Sequence, residues 1–183
     1  AKTLFPYTTL FRSVKEFFGL HLQVDARVLD PRADTETLVE WALSCLADVP
    51  SPQVVDLGTG SGAIALSLAI ERPQWQIVAV DRSEEALAVA YFNRGLAFDD
   101  NGDHDGAIAD YTQSIKLKPD YPQSYYNRGL SRFLMGEAEQ AIEDYTQAIR
   151  IEPKDPEAIY SRGVAYAKLG KYDYAARDFT EVI

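Results

Sequence analysis

A glycine-rich run in the first half of the sequence has the residue types and spacing of a cofactor loop. The run DLGTGSG, residues 56–62, follows a short apolar segment and opens a helical one. Glycine lets a backbone approach a ligand closely, and a helix start offers unpaired N–H groups to an anionic group. Asp81, roughly 20 residues on, could accept hydrogen bonds from two ribose hydroxyls. The pattern alone fits a dinucleotide, a methyl donor or a purely structural turn.

The other residues that commonly carry chemistry give weaker signals. Cys45 is the single cysteine, which excludes an internal disulfide and a cysteine-built zinc site. Its apolar helical setting favours a buried small side chain over a nucleophile. His21 and His104 are distant in sequence and lack ligand-like spacing. We therefore expect no metal site.

The elements that position the glycine run are predicted to form a strand–helix–strand unit. Residues 53–57 and 76–80 read as short apolar strands, and residues 61–70 read as an apolar helix between them. An amphipathic helix is predicted earlier, over residues 34–46. A parallel pair of strands needs cover on both faces, so we expect this unit to be marginally stable. The side chains left uncovered are those of Val54, Val55, Ile77 and Val78.

Neighbouring stretches decide between the cofactors. FFGL at residues 17–20, PRADTE at 31–36, DLGTGSGAIALSLA at 56–69 and AVDRS at 79–83 together resemble the release-factor glutamine methyltransferases. That family uses S-adenosylmethionine to methylate the glutamine of a Gly-Gly-Gln loop in peptide chain release factors. The resemblance implies that the loop lines the methionine part of the cofactor and that Asp81 holds its ribose. The loop residues are Gly58, Thr59, Gly60, Ser61 and Gly62.

The resemblance ends near residue 90, before the family's later strands. The family's Asn-Pro-Pro-Tyr motif, whose Asn and prolyl carbonyl hold the substrate amide, does not occur in this sequence. The helical substrate-recognition domain of the family is also expected to be missing before Phe17. Because methyl transfer depends on alignment of both bound groups, we expect an inactive fragment of protein-glutamine N-methyltransferase ancestry with no catalytic residues.

The second half of the sequence repeats every 34 residues. The recurring positions are Gly95, Gly129 and Gly163; Gly102, Gly136 and Gly170; Ala107, Ala141 and Ala175; Tyr111, Tyr145 and Phe179; Ile115, Ile149 and Ile183; and Pro119 and Pro153. In the first copy they predict a helix over residues 91–100, a turn at 101–103 and an antiparallel helix over 107–117. Small residues let the helices approach and proline ends the second helix. One hairpin cannot bury its apolar side, so the copies must stack.

The copies resemble tetratricopeptide repeats. They read YFNRGLAFDDNGDHDGAIADYTQSIKLKP at residues 91–119, YYNRGLSRFLMGEAEQAIEDYTQAIRIEP at 125–153 and IYSRGVAYAKLGKYDYAARDFTEVI at 159–183. We assign repeats to residues 88–121, 122–155 and 156–183. The third copy ends before its closing proline, so the array is expected to be incomplete.

The resemblance implies a protein or peptide ligand in a groove lined by first-helix residues. The candidates are Phe92, Asn93, Tyr126, Asn127 and Tyr160. The aromatic rings suit an extended peptide, and the amides could bind its backbone; packing between hairpins is an equally good explanation of the rings. Relatives that grip a C-terminal carboxylate use Lys and Arg in the groove, where this sequence is largely apolar or acidic. That ligand is not expected.

An arginine and an aspartate recur together in every copy. The pairs are Arg94 with Asp110, Arg128 with Asp144 and Arg162 with Asp178. Because a ligand site would not be rebuilt identically in each copy, we expect structural ion pairs between helices.

Composition sets the remaining limits. The sequence is 46% hydrophobic and 25% charged, which is ordinary for a globular protein. A formal net charge of −10 argues against nucleic-acid binding and favours a neutral or basic partner. No apolar run approaches the roughly 20 residues needed to cross a bilayer, and the N-terminus has no signal-peptide pattern. We expect a cytoplasmic protein that does not bind membranes.

The fold class expected is α plus partial α/β, a tetratricopeptide α-solenoid fused to a two-stranded remnant of a Rossmann-like methyltransferase domain. Residues 14–87 form the remnant, and its last helix is predicted to run from Ser83, as N-cap, straight into the first repeat without a linker. Residues 1–13 resemble translated adapter sequence, with a natural loop as the alternative. Three functions stay open: an interaction module, a release-factor methyltransferase with a repeat appendage, or an assembly chimera without a joint function.

Overall fold

The structure is a computed structural model that describes residues 13–182. The chain divides into two compact units, Ala1–Asn93 (unit 1) and Arg94–Ile183 (unit 2). The predicted leader lies outside the described residues except for the backbone of Ser13, and Ile183 lies outside them as well. We consider each unit by itself.

Unit 1 opens with a β-hairpin that the sequence reasoning missed. Strand β1 (Ser13–Phe17) pairs antiparallel with β2 (Leu20–Val24). Phe18 and Gly19 join them with φ of 50° and 77°, and positive φ at both positions is what a two-residue type I′ turn requires. The signal was present, because apolar residues occupy alternate positions along β2 and so mark a strand with one buried side.

The predicted strand–helix–strand unit is confirmed. Helix α1 (Ala33–Cys45) precedes β3 (Gln53–Leu57), α2 (Ala63–Glu71) and β4 (Gln76–Val80). β3 and β4 are parallel, with Val55 opposite Val78 and Leu57 opposite Val80. The buried core draws on the hairpin and both helices. Its members are Phe17, Leu22, Val39, Ala63, Leu66, Leu68 and Trp75.

Among residues 13–182, only one face of the sheet of β3 and β4 is covered. Val54 and Ile77 pack against the core of unit 1, so the expectation that they would be uncovered was wrong. On the opposite face, Val55, Leu57, Val78 and Val80 are 43–78% exposed. We call these four residues the bare sheet face. Parallel sheets are normally covered on both sides, and here only half of that cover is present.

The expectation that Cys45 would be buried was also wrong. Cys45 is exposed at the last residue of α1. Val39 is the buried residue of this helix, and Leu46 packs on the same core. At 3.6 residues per turn, Leu46 returns to the side of Val39, whereas Cys45 points roughly 120° away.

Six helices follow. α3 (Glu84–Asp100) begins in unit 1 and ends in unit 2, which confirms the predicted continuous helix. Ser83 caps it, because the Ala86 N–H donates to Ser83 Oγ over 3.2 Å. The others are α4 (His104–Leu117), α5 (Pro122–Leu134), α6 (Ala138–Ile151), α7 (Pro156–Lys168) and α8 (Tyr172–Val182). The predicted prolines follow the ends of α4 and α6.

The recurring small residues of unit 2 are explained by aromatic rings on their partner helices. A Cβ added to Gly95, Gly129 or Gly163 would lie 2.6–2.9 Å from a ring carbon of Tyr111, Tyr145 or Phe179, closer than carbon atoms can approach. The recurring alanines Ala107, Ala141 and Ala175 are 0–3% exposed. The turn glycines have a different cause. Gly102, Gly136 and Gly170 have φ of 72–88°, a conformation that favours glycine.

The predicted arginine–aspartate pairs are confirmed as bonds between helices. Arg128 donates to both Asp144 carboxylate oxygens over 2.9 and 2.7 Å, and Arg162 binds Asp178 over 2.9 and 2.8 Å. Arg94 and Asp110 form the same pair at 2.6 and 2.8 Å. The bond to Asp178 raises the pKa of the Arg162 guanidinium. These arginines hold the hairpins together.

Candidate functional site

The glycine loop, residues 58–62, joins the end of β3 to the start of α2. Gly58, Gly60 and Gly62 have φ of 77°, 55° and 82°, which other residues rarely adopt. A Cβ on Gly58 would meet nothing within 4 Å, whereas one on Gly62 would lie 3.3 Å from Leu66 and 3.4 Å from Ala90. The loop is therefore open at Gly58 and packed against helices at Gly62.

Hydrogen bonds from the end of β4 hold the first part of this loop. The N–H groups of Gly58 and Thr59 both donate to the carbonyl of Val80, over 2.7 and 3.0 Å. Thr59 Oγ1 donates to the buried Asp56 carboxylate over 2.7 Å. Asp56 is thus a second acidic residue that shapes the loop, and sequence reasoning did not single it out.

Asp81 follows β4 directly and contacts the loop. Its Oδ2 accepts from the Gly60 N–H over 3.0 Å, and its Oδ1 accepts from the Ser83 N–H over 2.9 Å. The backbone N–H groups of Ser83 and Gly60, in that order, lower the pKa of the Asp81 carboxyl below its ordinary value of 3.8, with a smaller contribution from the Arg82 backbone and against a smaller effect of burial. The structure therefore brings together Asp81 and the loop, as the sequence predicted, and keeps the carboxylate ionised at neutral pH.

The donor set fits the nucleoside end of a methyl donor. A carboxylate has about four lone-pair sites, and two of them on Asp81 are used by backbone N–H groups. The carboxylate keeps acceptor capacity toward a hydroxyl such as those of a ribose. Among the described residues, no cluster of three or more His, Cys, Asp or Glu side chains could hold a metal ion.

Two predicted groove residues are not accessible. Phe92 and Asn93 are each 2% exposed. The Asn93 side-chain amide bonds to Gln23 and Ser61 inside unit 1, so it cannot bind a peptide backbone. We therefore correct the expected groove by removing both residues.

The remaining predicted groove residues lie on α5 and α7. The Tyr126 ring packs 5.8 Å from Tyr145, and Tyr160 packs 5.4 Å from Phe179. Tyr126 Oη lies 3.5 Å from Ser161 Oγ, so α5 and α7 run side by side. Tyr160 is nonetheless 55% exposed. The rings thus pack within their hairpins while Tyr160 stays open to solvent, and peptide binding by these residues stays a prediction.

The C-terminal ends of α5 and α7 are joined by a cation–π contact. Lys168 Nζ lies 4.6 Å from the centre of the Phe133 ring. Asn127 Nδ2 donates to the Gln123 carbonyl of its own helix over 2.9 Å, which uses one of its two amide N–H groups. We define Tyr126, Asn127, Phe133, Tyr160 and Lys168 as the α5–α7 surface.

Unit 2 also contains serine, histidine and aspartate in one cluster. Ser131 Oγ donates to Asp99 over 2.8 Å, and the Tyr111 hydroxyl donates to the same carboxylate over 2.8 Å. His104 Nδ1 lies 2.8 Å from Asp99 Oδ1. Burial raises the pKa of the Tyr111 phenol, and the negative charge of Asp99 is the next largest cause of the increase. In a nucleophilic triad the serine would bond to histidine, whereas here the groups converge on the aspartate, so the cluster is structural.

Comparison with known families identifies both segments. The TPR repeat family profile matches residues 95–136 and 131–170. A methyltransferase domain profile matches residues 49–108. The release factor glutamine methyltransferase of Coxiella burnetii is 52% identical over 79 residues, 43% of this chain and 28% of the relative. That of Escherichia coli is 52% identical over 80 residues, with coverages of 44% and 28%. The chain thus spans just over a quarter of these curated relatives.

Solved structures resemble the repeat segment. The second TPR of Spaghetti (RPAP3), bound to the HSP90 peptide SRMEEVD, is 31% identical with a TM-score of 0.52, covering 52% of this chain and 89% of that one. The Arabidopsis OM64 TPR domain is 28% identical with a TM-score of 0.53, covering 54% and 82%. MamA is 28% identical with a TM-score of 0.54, covering 65% and 63%.

The stacked helix hairpins are those of an α-solenoid repeat protein. The repeat segment belongs to the tetratricopeptide repeat family, and it is fused to a partial methyltransferase domain that is similar to release factor glutamine methyltransferases. None of the helices described between residues 13 and 182 is long and apolar enough to span a bilayer.

Proposed function

We propose that unit 2 binds an extended segment of another protein on the α5–α7 surface. The observation that supports this most is Tyr160, a large aromatic side chain that is 55% exposed on the first helix of its hairpin. On the same pair of helices, Tyr126 Oη and Ser161 Oγ lie 3.5 Å apart. Exposed tyrosine gives a peptide contact area at low entropic cost, and nearby hydroxyls can bond its backbone. Two solved relatives are bound to an HSP90 peptide.

The ligand we propose is neutral or basic. Arg128 and Arg162 are bonded to Asp144 and Asp178, which leaves them poorly suited to grip an acidic peptide. Lys168 is the cation of the α5–α7 surface, and the chain as a whole carries a formal charge of −10. Overall repulsion therefore disfavours acidic ligands.

Fluorescence polarisation with two labelled peptides tests this proposal. One is SRMEEVD, and the other is its cationic analogue, in which both glutamates are changed to glutamine and the terminal aspartate to amidated asparagine, so that the charge of its arginine remains. We expect the cationic peptide to bind more tightly to the full chain. Tyr160→Ala should weaken binding about tenfold, as for a central aromatic contact. Tyr172→Ala is the matched control, since Tyr172 is a 71% exposed tyrosine on α8.

The possible results separate two errors. Tighter binding of SRMEEVD would show that the charge argument is wrong while peptide binding holds. Equal binding by Tyr160→Ala and Tyr172→Ala would show that the α5–α7 surface is not the site.

A second candidate function is cofactor binding by unit 1. We propose that the glycine loop and Asp81 bind S-adenosylmethionine, which supplies a transferable methyl group when bound. The support is the Asp81 carboxylate, held by Gly60 and Ser83 at the open end of the loop. In this proposal Gly58 to Gly62 contact the methionine part and Asp81 accepts from the ribose. Methylation of a release factor is not part of it, because the Asn-Pro-Pro-Tyr motif does not occur in this chain.

Calorimetric titration of the full chain with S-adenosylmethionine tests the cofactor proposal. We expect measurable binding that Asp81→Ala abolishes. Absence of binding by the wild-type chain would exclude it. A separate assay with a Gly-Gly-Gln release-factor peptide decides whether the chain is an enzyme, and we expect no methyl transfer.

We further propose that the two segments were joined within α3 and have no joint function. α3 runs without a break from Glu84 to Asp100, so the repeats begin inside a helix of the methyltransferase segment. Natural domains more often meet at an exposed linker. Sequencing the native locus across the codons of residues 88–91 tests this, and one uninterrupted reading frame there would contradict it.

A further inference from the structure

Asn93 occupies a repeat position but bonds entirely to unit 1. It lies 34 residues before Asn127 and thus at the same place in the repeat pattern. Asn127 bonds within its own helix, to the Gln123 carbonyl. The Asn93 side chain, which is 2% exposed, instead makes three hydrogen bonds to residues far away in sequence. The two asparagines therefore occupy equivalent repeat positions but have different hydrogen-bond partners.

The first two bonds join Asn93 to the edge of strand β2 that faces away from β1 in the β1–β2 hairpin. Asn93 Oδ1 accepts from the Gln23 N–H over 2.8 Å, and Nδ2 donates to the Gln23 carbonyl over 3.1 Å. Gln23 lies in β2 and is paired on its other side with Val14. The Asn93 amide thus takes the place that a neighbouring strand would have along β2.

The third bond reaches the glycine loop. Asn93 Nδ2 donates to the carbonyl of Ser61 over 2.8 Å, and Ser61 is only 3% exposed. One helical turn earlier, Ala90 lies where a Cβ on Gly62 would be 3.4 Å away. α3 therefore supports the second part of the loop at two successive turns.

The loop consequently has an anchor at each end. Val80 and Asp81, at the end of β4, hold Gly58 to Gly60. Asn93 holds Ser61. The Gly62 N–H donates to the Thr59 carbonyl over 2.9 Å, which closes the turn between the two anchors. Because glycine-rich backbone has many accessible conformations, the loop needs both anchors to keep one shape.

We infer that Asn93 is a positioning residue for the glycine loop, and that the affinity of unit 1 for its cofactor depends on this one amide of α3. The inference rests on the proposed binding of S-adenosylmethionine. Asn93 acts on the ligand only through Ser61, since its hydrogen-bonding groups are turned to Ser61 and Gln23.

The test compares Asn93→Asp with Asn127→Ala in the full chain. Aspartate keeps the size of asparagine and the acceptor for the Gln23 N–H, but it removes the Nδ2 donor and places a carboxylate oxygen against the carbonyls of Ser61 and Gln23. We expect it to weaken S-adenosylmethionine binding about tenfold in calorimetry, as for the loss of the buried hydrogen bond to Ser61. Asn127→Ala, at the equivalent position, should bind as the wild type does.

Amide hydrogen exchange gives a readout that does not need the cofactor. We expect the Gly60 and Gly62 amides to exchange about tenfold faster in Asn93→Asp, while amides of α6 stay unchanged. If the wild type does not bind S-adenosylmethionine, the cofactor proposal fails and exchange alone decides the role of Asn93.

Three results would overturn the inference. They are wild-type affinity in Asn93→Asp, unchanged exchange at both glycines, and loss of the fold of unit 1, since a positioning role leaves the fold in place. Tryptophan emission detects the last, because both tryptophans of the chain, Trp41 and Trp75, lie in unit 1. Asn93→Ala, which removes the amide without adding charge, must lose affinity and speed exchange in the same direction.

Discussion

The two units bury their apolar residues in different ways. In unit 2, Tyr111, Tyr145 and the recurring alanines are 0–3% exposed, and each lies against residues one helix or one hairpin away. In unit 1, Val55 and Val78 lie side by side on the paired strands β3 and β4 and are 57% and 55% exposed. Repeat hairpins need only the next copy for cover, whereas a parallel sheet needs elements that are distant in sequence. A segment of a repeat fold can therefore bury its apolar side chains within itself, whereas a segment of a parallel-sheet fold leaves some of them exposed.

The largest effect that should separate the units is loss of a buried charge partner in unit 2. Asp144 is 4% exposed at its side chain and binds both Arg128 and Arg132. Asp144→Ala should lower the free energy of unfolding by about 3 kcal/mol, because it leaves two mostly buried guanidinium groups without their carboxylate. Urea unfolding followed by far-UV circular dichroism measures this, and tryptophan emission from unit 1 should shift less.

The control for this prediction is Asp120→Ala. Asp120 pairs with Lys118 but is 71% exposed at its side chain. It should cost no more than about 0.5 kcal/mol. Equal losses in the two variants would contradict a structural role for the repeated arginine pairs.

A smaller effect should come from closing the glycine–ring contact. Gly129→Ala would place a Cβ 2.9 Å from the Tyr145 ring, so we expect a loss of about 2 kcal/mol from overpacking. In a double-mutant cycle, Tyr145→Leu should relieve most of this cost. Thermal unfolding of the full chain gives the values.

Gly136→Ala is the matched control for the ring contact. Its φ of 88° makes alanine unfavourable by about 1 kcal/mol, but nothing lies within 4 Å of the new Cβ. Tyr145→Leu should not change that cost. Coupling of similar size at Gly129 and Gly136 would mean that the ring contact is not what requires glycine.

Substitutions on the bare sheet face should hardly change stability. Val78→Thr keeps a β-branched side chain and exposes a hydroxyl, so we expect a change within about 0.5 kcal/mol and a higher concentration before light scattering rises. Leu68→Ala is the control, because Leu68 is 1% exposed and should cost about 3 kcal/mol. A large loss in Val78→Thr would show that this face is covered in solution.

The smallest predicted effect concerns acid stability of unit 1. The folded pKa of Asp81 lies below its ordinary value of 3.8, so its stabilisation is fully present above that pH and is lost as pH falls through the folded pKa. The melting temperature of wild type minus that of Asp81→Asn, read by tryptophan emission, should shrink below pH 3.8. Asp48→Asn, at an exposed loop residue, corrects for the change in net charge. A constant difference across this range would contradict the assignment.

The sequence predicted whatever depends on local pattern. The 34-residue period placed the hairpins of unit 2, and glycine with a following carboxylate placed the loop beside Asp81. The β1–β2 hairpin was predictable in the same way from the alternation along β2, and it was missed. Asn93 was not predictable, because its contacts join residues 70 and 32 positions apart and its repeat position suggested a different role.

The arginine bonds of unit 2 have a consequence for how such a chain can grow. Arg128 reaches 16 residues forward to Asp144 and 16 residues back to Thr112, over 3.0 Å. Arg162 does the same with Asp178 and Thr146. The bonds of both arginines therefore join residues of the same copy or of that copy and its predecessor. Duplication of a single 34-residue block would bring its own arginine, aspartate and threonine, so the number of copies can change while these bonds are kept.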